Sequence, residues 1–580
     1  MNNADIAQAF EELADLLELR GENAFRVRAY RAGAKAILDL NRSVPEILAD
    51  PTCSLQAISG IGETLAQKCK VLVETGKLPQ LEELRSATPQ VLIQMTRIPG
   101  LGAKKALALQ KELNLDSLED LKQACLEQKV RQVKGFAAKS EQQILNGLEI
   151  AAQVSERLRI DQVERLVFRL RSHFENCAAL QQLEFAGSYR RGKETVGDLD
   201  LLVVSQDAQA VMDHLEVFPG RLSTVARGDT KMSIRVESQF QVDLRVVPAE
   251  SFGAALQYFT GSKEHNVAIR SRARKMGLTV NEYGVATLDG SQPMACGASE
   301  EQLYHRLGLN WIPPELREGR QELQWAEVGA EFPELLEMGH IVADLHMHTT
   351  ASDGANSIEQ MKAAAQSIGL HYIAITDHSK RVSMARGLDE TRLLQQWAEI
   401  DRINASSGEG FRVLKGVECD ILEAGPLDIE DRVLAQADWV LASIHYGQKQ
   451  SRQQITDRIL GAICNPHVDI IAHPTGRLLG SRPAYELDLD AVFQAAVEHS
   501  KALELNASPY RLDLSEQNLM MATARGIPIA INTDAHSVDG LDAMRFGVTQ
   551  ARRAGLLKDS VINTWTLHRL LAWLNRNSQL

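Results

Sequence analysis

The chain has 580 residues, 63 of them Lys or Arg and 76 Asp or Glu, for a formal charge of −13. Hydrophobic content of 44% and charged content of 24% are those of a folded globular protein, which excludes an extended disordered chain. No run of about 18 apolar residues occurs, which excludes a membrane-spanning helix, and the opening Met-Asn-Asn-Ala-Asp-Ile is not expected to be a signal peptide.

At roughly 150 residues per domain the length suggests about four domains. The first 150 residues read as helices, with apolar positions at helical spacing over 3–19, 63–74, 103–113 and 140–154. A repeated punctuation separates them: Ile58-Ser-Gly-Ile-Gly62, Ile98-Pro-Gly-Leu-Gly102 and a weaker third copy, Val133-Lys-Gly-Phe-Ala137. A Gly-x-Gly turn that opens a helix lets backbone amides approach a phosphate closely. The turn residues Gly60, Gly62, Gly100 and Gly102, with Lys68, Lys104 and Lys105 nearby, therefore offer amides and cations to a phosphate.

From about residue 180 the period changes to that of strands, over 182–186, 198–204, 232–236 and 240–247, and helical patterns return at 255–258 and 265–276. Gly187-Ser-Tyr-Arg-Arg-Gly192 precedes Asp198-Leu-Asp200. Asp198 and Asp200 are two apart on a strand, so both carboxylates face one side. Asp243, on the apolar run Gln241-Val-Asp-Leu, could complete a cradle of three carboxylates. Such a cradle suits hard divalent ions that clamp a transferring phosphoryl group. Gly187, the Ser188 hydroxyl and the Arg191 guanidinium would be offered to a triphosphate. Residues 311–336, Pro-containing, acidic and Gln-rich, read as an interdomain linker.

After residue 340, strand-like segments end at His348, His378, Glu418, His445, His473, Ala507 and His536, with helical stretches between most of them. Alternating βα units imply a parallel sheet or barrel, and barrels place active sites at the C-terminal ends of their strands. Eleven of the fifteen histidines lie from residue 337 onward. His346, His348, Asp353, His378, Glu418, His445, His473, Asp534 and His536 all fall at or just past a strand end, with His346 and His348 on one strand face. Mixed imidazole and carboxylate donors without thiolate suit Zn²⁺, Mn²⁺ or Fe²⁺, and nine groups fit a site of two or three metals that activate water and neutralise a phosphate.

The charge is unevenly spread. Residues 1–310 hold 38 basic and 40 acidic side chains, residues 311–336 hold 2 and 6, and residues 337–580 hold 23 and 30. The two halves are therefore expected to do different chemistry. The seven cysteines are scattered and include no C-x-x-C pair, so a reducing, cytoplasmic compartment is expected.

The Gly-Ser-x-Arg-Arg-Gly and Asp-x-Asp motifs resemble the palm of family X DNA polymerases, the group that includes DNA polymerase beta. The resemblance covers about residues 1–310, including Tyr258-Phe-Thr-Gly-Ser262, Asn266, Arg270 and Asn281-Glu-Tyr-Gly284. It implies that Asp198 and Asp200 bind two ions, Mg²⁺ or Mn²⁺, and that Asp243 binds the catalytic one and helps deprotonate the primer hydroxyl. Ser188 and Arg191 would hold the triphosphate, Tyr258, Phe259, Gly261 and Ser262 would line the sugar, Asn266 would touch the base and Arg270 the template. The paired glycine turns resemble helix-hairpin-helix DNA-binding elements. Glu22-Asn-Ala-Phe-Arg-Val-Arg-Ala-Tyr30 and Lys68 are similar to the lyase domain of that family, where a lysine at the position of Lys68 is the Schiff-base nucleophile. The family's phosphate-binding lysine one turn earlier is Thr64 here.

Residues 340–580 resemble the polymerase and histidinol phosphatase (PHP) domain, with all nine of its usual ligand positions filled. PHP domains fused to such polymerases resemble 3′–5′ exonucleases and act on blocked 3′ ends or abasic sites. The expected architecture is therefore multidomain. Residues 1–150 form an all-α helix-hairpin-helix region with lyase-like and fingers-like parts, and 151–310 an α+β nucleotidyltransferase palm with a thumb-like nucleotide-selection subdomain. Residues 311–336 are a linker, and 337–580 a distorted β/α barrel. The expected substrates are gapped or primer–template DNA and dNTPs, handled by a monomer in the cytoplasm, with no membrane partner. The alternative is a PHP-type phosphoesterase whose first half binds DNA without polymerising. A small-molecule phosphatase of histidinol phosphate type would leave the helix-hairpin-helix turns without a role.

Overall fold

The computed structural model describes residues 3–20, 22–38, 44–49, 53–57, 61–96, 98, 101–138, 140–142, 144–145, 148, 157–289, 292–330, 333–406 and 410–577. The chain divides into two compact units, Met1–Ser155 and Glu156–Leu580.

The described residues of the first unit build helices and turns. In α1 (Asn3–Leu19) Ile6, Phe10, Leu13 and Leu17 recur at helical spacing and are buried. They face α2 (Ala24–Leu38), where Tyr30 meets Phe10 edge-on at 5.9 Å. Glycine turns lead into α3 (Glu63–Thr75) and α4 (Ala103–Leu113), close to the expected spans. The helix expected over 140–154 lies partly outside the described residues.

The second unit opens with α5 (Ile160–Phe174), whose buried Val163, Leu166, Val167 and Leu170 cover one face of a five-stranded sheet. Its strands are β1 (Gln182–Phe185), β2 (Asp198–Val204), β3 (Arg221–Arg227), β4 (Lys231–Val236) and β5 (Gln241–Val247), in the order β1-β2-β5-β4-β3. The central β2 and β5 run parallel and their other neighbours antiparallel. Along β5 the apolar Val242, Leu244 and Val246 face the core, which leaves Gln241, Asp243 and Arg245 on the opposite face. Next come α6 (Phe252–Thr260) and α7 (Lys263–Lys275), packed with the antiparallel strands β6 (Leu278–Asn281), β7 (Gly284–Thr287) and β8 (Pro293–Met294).

Much of the described part of 311–336, the expected linker, is packed rather than solvent-exposed. Ile312, Leu316, Ala326 and Leu335 join a core with Leu303, Tyr304 and Leu307, and Arg317 is fully buried. Acidity suggested solvent exposure, yet several of these acids partner other side chains. Glu315 pairs with Arg552, Glu318 with Arg553 and Glu322 with His265. Arg317 is itself neutralised by Glu300, which also takes both terminal nitrogens of Arg190 at 2.7 and 2.9 Å.

Seven further strands, β9 (Ala343–Asp344), β10 (Tyr372–Ile375), β11 (Arg412–Asp420), β12 (Trp439–Ser443), β13 (Ile470–Ile471), β14 (Ala502–Asn506) and β15 (Ile529–Asn532), pair in chain order, all parallel. A bridge between Met347 and Ala535 brings the two ends together at the C-terminal rim of the sheet. The first strand is shorter than expected. His346 and His348 lie past β9, where the chain leaves the ladder to make that bridge. Helix α8 (Met544–Arg553) packs against β14 and β15. No helix among the described residues is long and apolar enough to cross a membrane.

Candidate active sites

The register of the central palm strands sets Asp198 opposite Gln241 and Asp200 opposite Asp243. Burial, then the charges of Asp198 and Asp243, push the Asp200 carboxyl up to about 7, with Arg245 and Arg191 opposing. Asp243 is held by its own strand and its neighbour. It accepts from the Ser233 hydroxyl and from Gln241 Nε2 at 2.9 and 3.1 Å. The three carboxylates thus share one face but do not gather into a group with oxygens within 4.8 Å of one another. Their chemistry fits hard divalent ions: burial and neighbouring carboxylate charge raise the pKa of Asp198 and Asp200, and a bound cation relieves that cost.

The turn before β2 approaches this face closely. Gly187 has φ +65°, a conformation that favours glycine, and a Cβ there would lie 2.5 Å from Asp200 Oδ2 and push that carboxylate aside. Ser188 follows, half-buried, and Arg191 closes the turn with Nη1 donating to the Thr260 carbonyl and Nε to Glu318 Oε1 at 3.1 Å. Thr260 ends α6, the helix that carries Tyr258 and Phe259. Their rings meet edge-on at 5.1 Å, and the Arg245 guanidinium lies 4.4 Å from the Phe259 centroid. Gly261 and Ser262 make the bend into α7, with Ser262 as N-cap accepting from the His265 amide. One turn on, the Asn266 side chain donates to the Tyr258 carbonyl at 2.8 Å and accepts from Gln257 at 2.9 Å. Arg270 is exposed on the same helix. The sequence reading missed Arg245 and the Arg190–Glu300–Arg317 cluster, although an arginine two residues after Asp243 on an apolar strand was a usable signal.

At the barrel rim all nine expected residues come together. His348, Asp353, His378 and His536 form one group with ligand atoms within 4.8 Å; His346, His348 and Asp534 form a second, and His378, Glu418 and His445 a third. His473 joins through Nε2, 2.9 Å from Glu418 Oε1. His473 and Asp534 both hold positive φ, +29° and +55°, strain of the kind concentrated at functional sites.

Several of these buried atoms lack a hydrogen-bond partner: His346 Nε2, His348 Nδ1, His378 Nδ1, His473 Nδ1 and Glu418 Oε2. His378 Nδ1 and Glu418 Oε2 are 2.7 Å apart but out of hydrogen-bonding alignment. An unsatisfied buried polar group costs about 1–3 kcal/mol, so this lining fits a cation that would engage several at once. Burial opposes a charge on His346, but Glu504, Asp534 and Glu418 outweigh it and hold the ring well above its ordinary pKa. The same field attracts any cation.

Two orienting carboxylates were missed. Glu504 accepts from His346 Nδ1 at 2.7 Å, and Asp420 lies 3.0 Å from His445 Nδ1. Each sits in an apolar strand, Leu-Glu-Leu and Glu-Cys-Asp, which was the available signal. Arg511 is a third omission, its Nε 3.7 Å from Asp534 Oδ2.

In the first unit, Gly62 and Gly102 are the N-cap residues of α3 and α4, extended and without a capping side chain. A Cβ at either would meet nothing within 4 Å, so the helix entrance is open to an approaching group. Gly60 and Gly100 lie outside the described residues. Lys104 is exposed, while Lys105 lies 5.9 Å from the Phe136 ring. Lys68 is half-buried, with Nζ 2.6 Å from Gln80 Oε1, and burial, then Arg26, lower its pKa.

Family models match over most of the chain. They are a helix-hairpin-helix domain over residues 1–78, a SAM-like helix-hairpin-helix tandem over 54–114 and 92–149, the DNA polymerase beta palm over 157–239, the DNA polymerase beta thumb over 255–318 and a PHP domain over 344–508. The DNA polymerase/3′-5′ exonuclease PolX of Bacillus subtilis is 42% identical over 579 residues, covering 100% of both chains. A probable phosphatase of Thermoanaerobacter sp. is 33% identical over 235 residues, 39% of this chain and 91% of its own. Another, from Syntrophotalea carbinolica, is 30% identical over 246 residues, 40% of this chain and 96% of its own.

Proposed function

The chain belongs to the family X DNA polymerases that carry a C-terminal PHP domain, and from that premise we propose that it fills short gaps in DNA during base excision repair and cleans the 3′ end with its barrel site. It is a DNA-directed DNA polymerase and a 3′–5′ exonuclease, and it uses divalent metal ions.

At the palm, Asp198 and Asp200 hold two ions, Mg²⁺ or Mn²⁺, and Asp243 holds the catalytic one. When bound, these ions neutralise the charge that develops on the transferring phosphoryl group. Asp243, oriented by Ser233 and Gln241, takes part in removing the proton of the primer 3′-hydroxyl. Ser188 and Arg191 grip the triphosphate of the incoming dNTP. Tyr258, Phe259, Gly261 and Ser262 line its sugar, Asn266 meets its base and Arg270 steadies the template. The helix entrances at Gly60–Gly62 and Gly100–Gly102, with Lys104, hold the DNA backbone.

At the barrel rim His346, His348, Asp353, His378, Glu418, His445, His473, Asp534 and His536 hold two or three ions, Zn²⁺ or Mn²⁺, with Fe²⁺ a further occupant of the same donor set. Glu504 and Asp420 orient the imidazoles of His346 and His445, and Arg511 offers a guanidinium to the scissile phosphate. Abasic-site cleavage is a further reaction of this site. A monomer in the cytoplasm suffices for both activities; scattered cysteines with no C-x-x-C pair support the reducing compartment.

One observation carries the polymerase reading: the register that places Asp200 beside Asp243, with the Gly187 turn against Asp200. A phosphoesterase that bound DNA without polymerising would leave that arrangement without a use. Primer extension on short-gap DNA, in Mg²⁺ and then Mn²⁺, tests it. Asp198→Ala with Asp200→Ala is expected to abolish nucleotide addition and spare 3′ degradation; extension by the purified double variant rejects the palm assignment.

A further inference from the structure

Helix α8 belongs to the barrel but packs on the polymerase. It follows the loop of Asp534 and His536, and its Phe546 lies in the core under the palm sheet. A Cβ at Gly192, the last residue of the Gly187 turn motif, would lie 2.2 Å from Thr549 Cγ2. At the end of the helix Arg553 is buried, 1% exposed. Its Nη1 donates to the Arg191 carbonyl, and its Nη2 to Glu318 at 2.8 Å and Glu516 at 2.6 Å. Glu318 is shared further, with Arg191 Nε at 3.1 Å and Lys193 Nζ at 3.3 Å. Glu516 also pairs with Arg320. Four cations thus face two carboxylates. Burial works against the charge on Glu318, yet Arg553, Arg191 and Lys193 hold its pKa down to about 2.

We infer that Arg553 is a positioning residue for nucleotide addition: a barrel arginine that engages Glu318 and ties down the Arg191 carbonyl, so that the Arg191 guanidinium can exchange Glu318 for an incoming triphosphate. The inference rests on the reading of Arg191 as a triphosphate ligand. An anion shared among three cations holds each less exclusively than an anion left with two. Without Arg553, Glu318 remains in a poorly solvated place and pairs more tightly with Arg191 and Lys193. A triphosphate must then displace a carboxylate that has lost its alternative partner. The Gly187–Gly192 turn also loses the bond that fixes its arginine. The barrel thereby becomes part of the nucleotide site without touching the nucleotide, which ties polymerisation to a correctly docked hydrolytic domain.

Steady-state extension of gapped DNA by the full-length chain tests this. Arg553→Met is expected to raise the KM for dNTP about tenfold with kcat within about twofold, and to leave 3′ degradation of single strands unchanged. Adding Glu318→Gln removes the competing charge and is expected to return KM to within about threefold of the parent. Glu318→Gln alone keeps the question open to test if Arg553→Met does not fold. It should lower KM by about threefold, and an unchanged or raised KM overturns the inference. Arg191→Ala separates the two readings. If it leaves KM unchanged, the triphosphate assignment fails. If it raises KM while Arg553→Met does not, or if Glu318→Gln fails to rescue Arg553→Met, the positioning role fails alone.

Discussion

Glu504 is fully buried on β14 and is met by His346 Nδ1 at 2.7 Å, the His473 amide at 2.7 Å, Asn532 Nδ2 at 2.9 Å and Asn506 Nδ2 at 3.4 Å. It fixes which imidazole nitrogen of His346 points into the rim. Glu504→Gln keeps the shape and loses the charge, so 3′ degradation should fall about 10–100-fold while primer extension is unaffected. Equal degradation rates for the two proteins would remove Glu504 from the site. Lys68 poses a different question at the same scale. A Schiff base needs a free amine, and the lowered pKa of Lys68, caused by burial and by Arg26, raises the deprotonated fraction at neutral pH. Borohydride treatment with an incised abasic duplex should trap a covalent adduct that Lys68→Ala loses. Absence of a Lys68-dependent adduct excludes lyase chemistry there. Asp198, Asp200 and the nine rim residues were legible from sequence because strand alternation and the repeated βα unit assign each a face or an end. Glu504 was not, since its value comes from His346, 158 positions away along the chain.

Helix α8 and the segment 311–336 show where local pattern stops informing. Acidic, Pro-containing sequence reads as a solvent tether, and nothing within that window reveals that Glu318 meets Arg553, 235 residues on. The elements themselves were largely legible: the expected helix over 103–113 and strand over 198–204 appear at those positions as α4 and β2. Pairing between elements was not, because it is set by tertiary packing and not by propensity. The Glu318 network also carries a pH signature. Its folded pKa of about 2 lies below the ordinary 4.5, so its stabilisation is complete above 4.5 and is lost as the pH falls toward 2. Glu318→Gln should therefore lower the unfolding midpoint at neutral pH, by an amount equivalent to about 3 kcal/mol, with the difference shrinking through that acidic window. A difference that stays constant from neutral pH to pH 3 would contradict the assignment of Glu318 as the charged centre.

The whole molecule joins two phosphate-handling chemistries in one chain. Residues 156–580 form a single compact unit that contains both the palm carboxylates and the barrel rim. The excess acidity lies mainly after residue 310, in the part that carries the rim carboxylates, while the first half is near neutral. The two sites draw on separate residues, so each should be removable alone. The most direct measurement is a crossed assay on one set of preparations, following both primer extension and 3′ degradation for Asp198→Ala/Asp200→Ala and for His346→Ala/His348→Ala. Each double variant should lose one activity and keep the other: the first its degradation, the second its extension. Loss of both activities in both folded variants, or persistence of 3′ degradation in the histidine variant, would contradict a chain with two separate active sites.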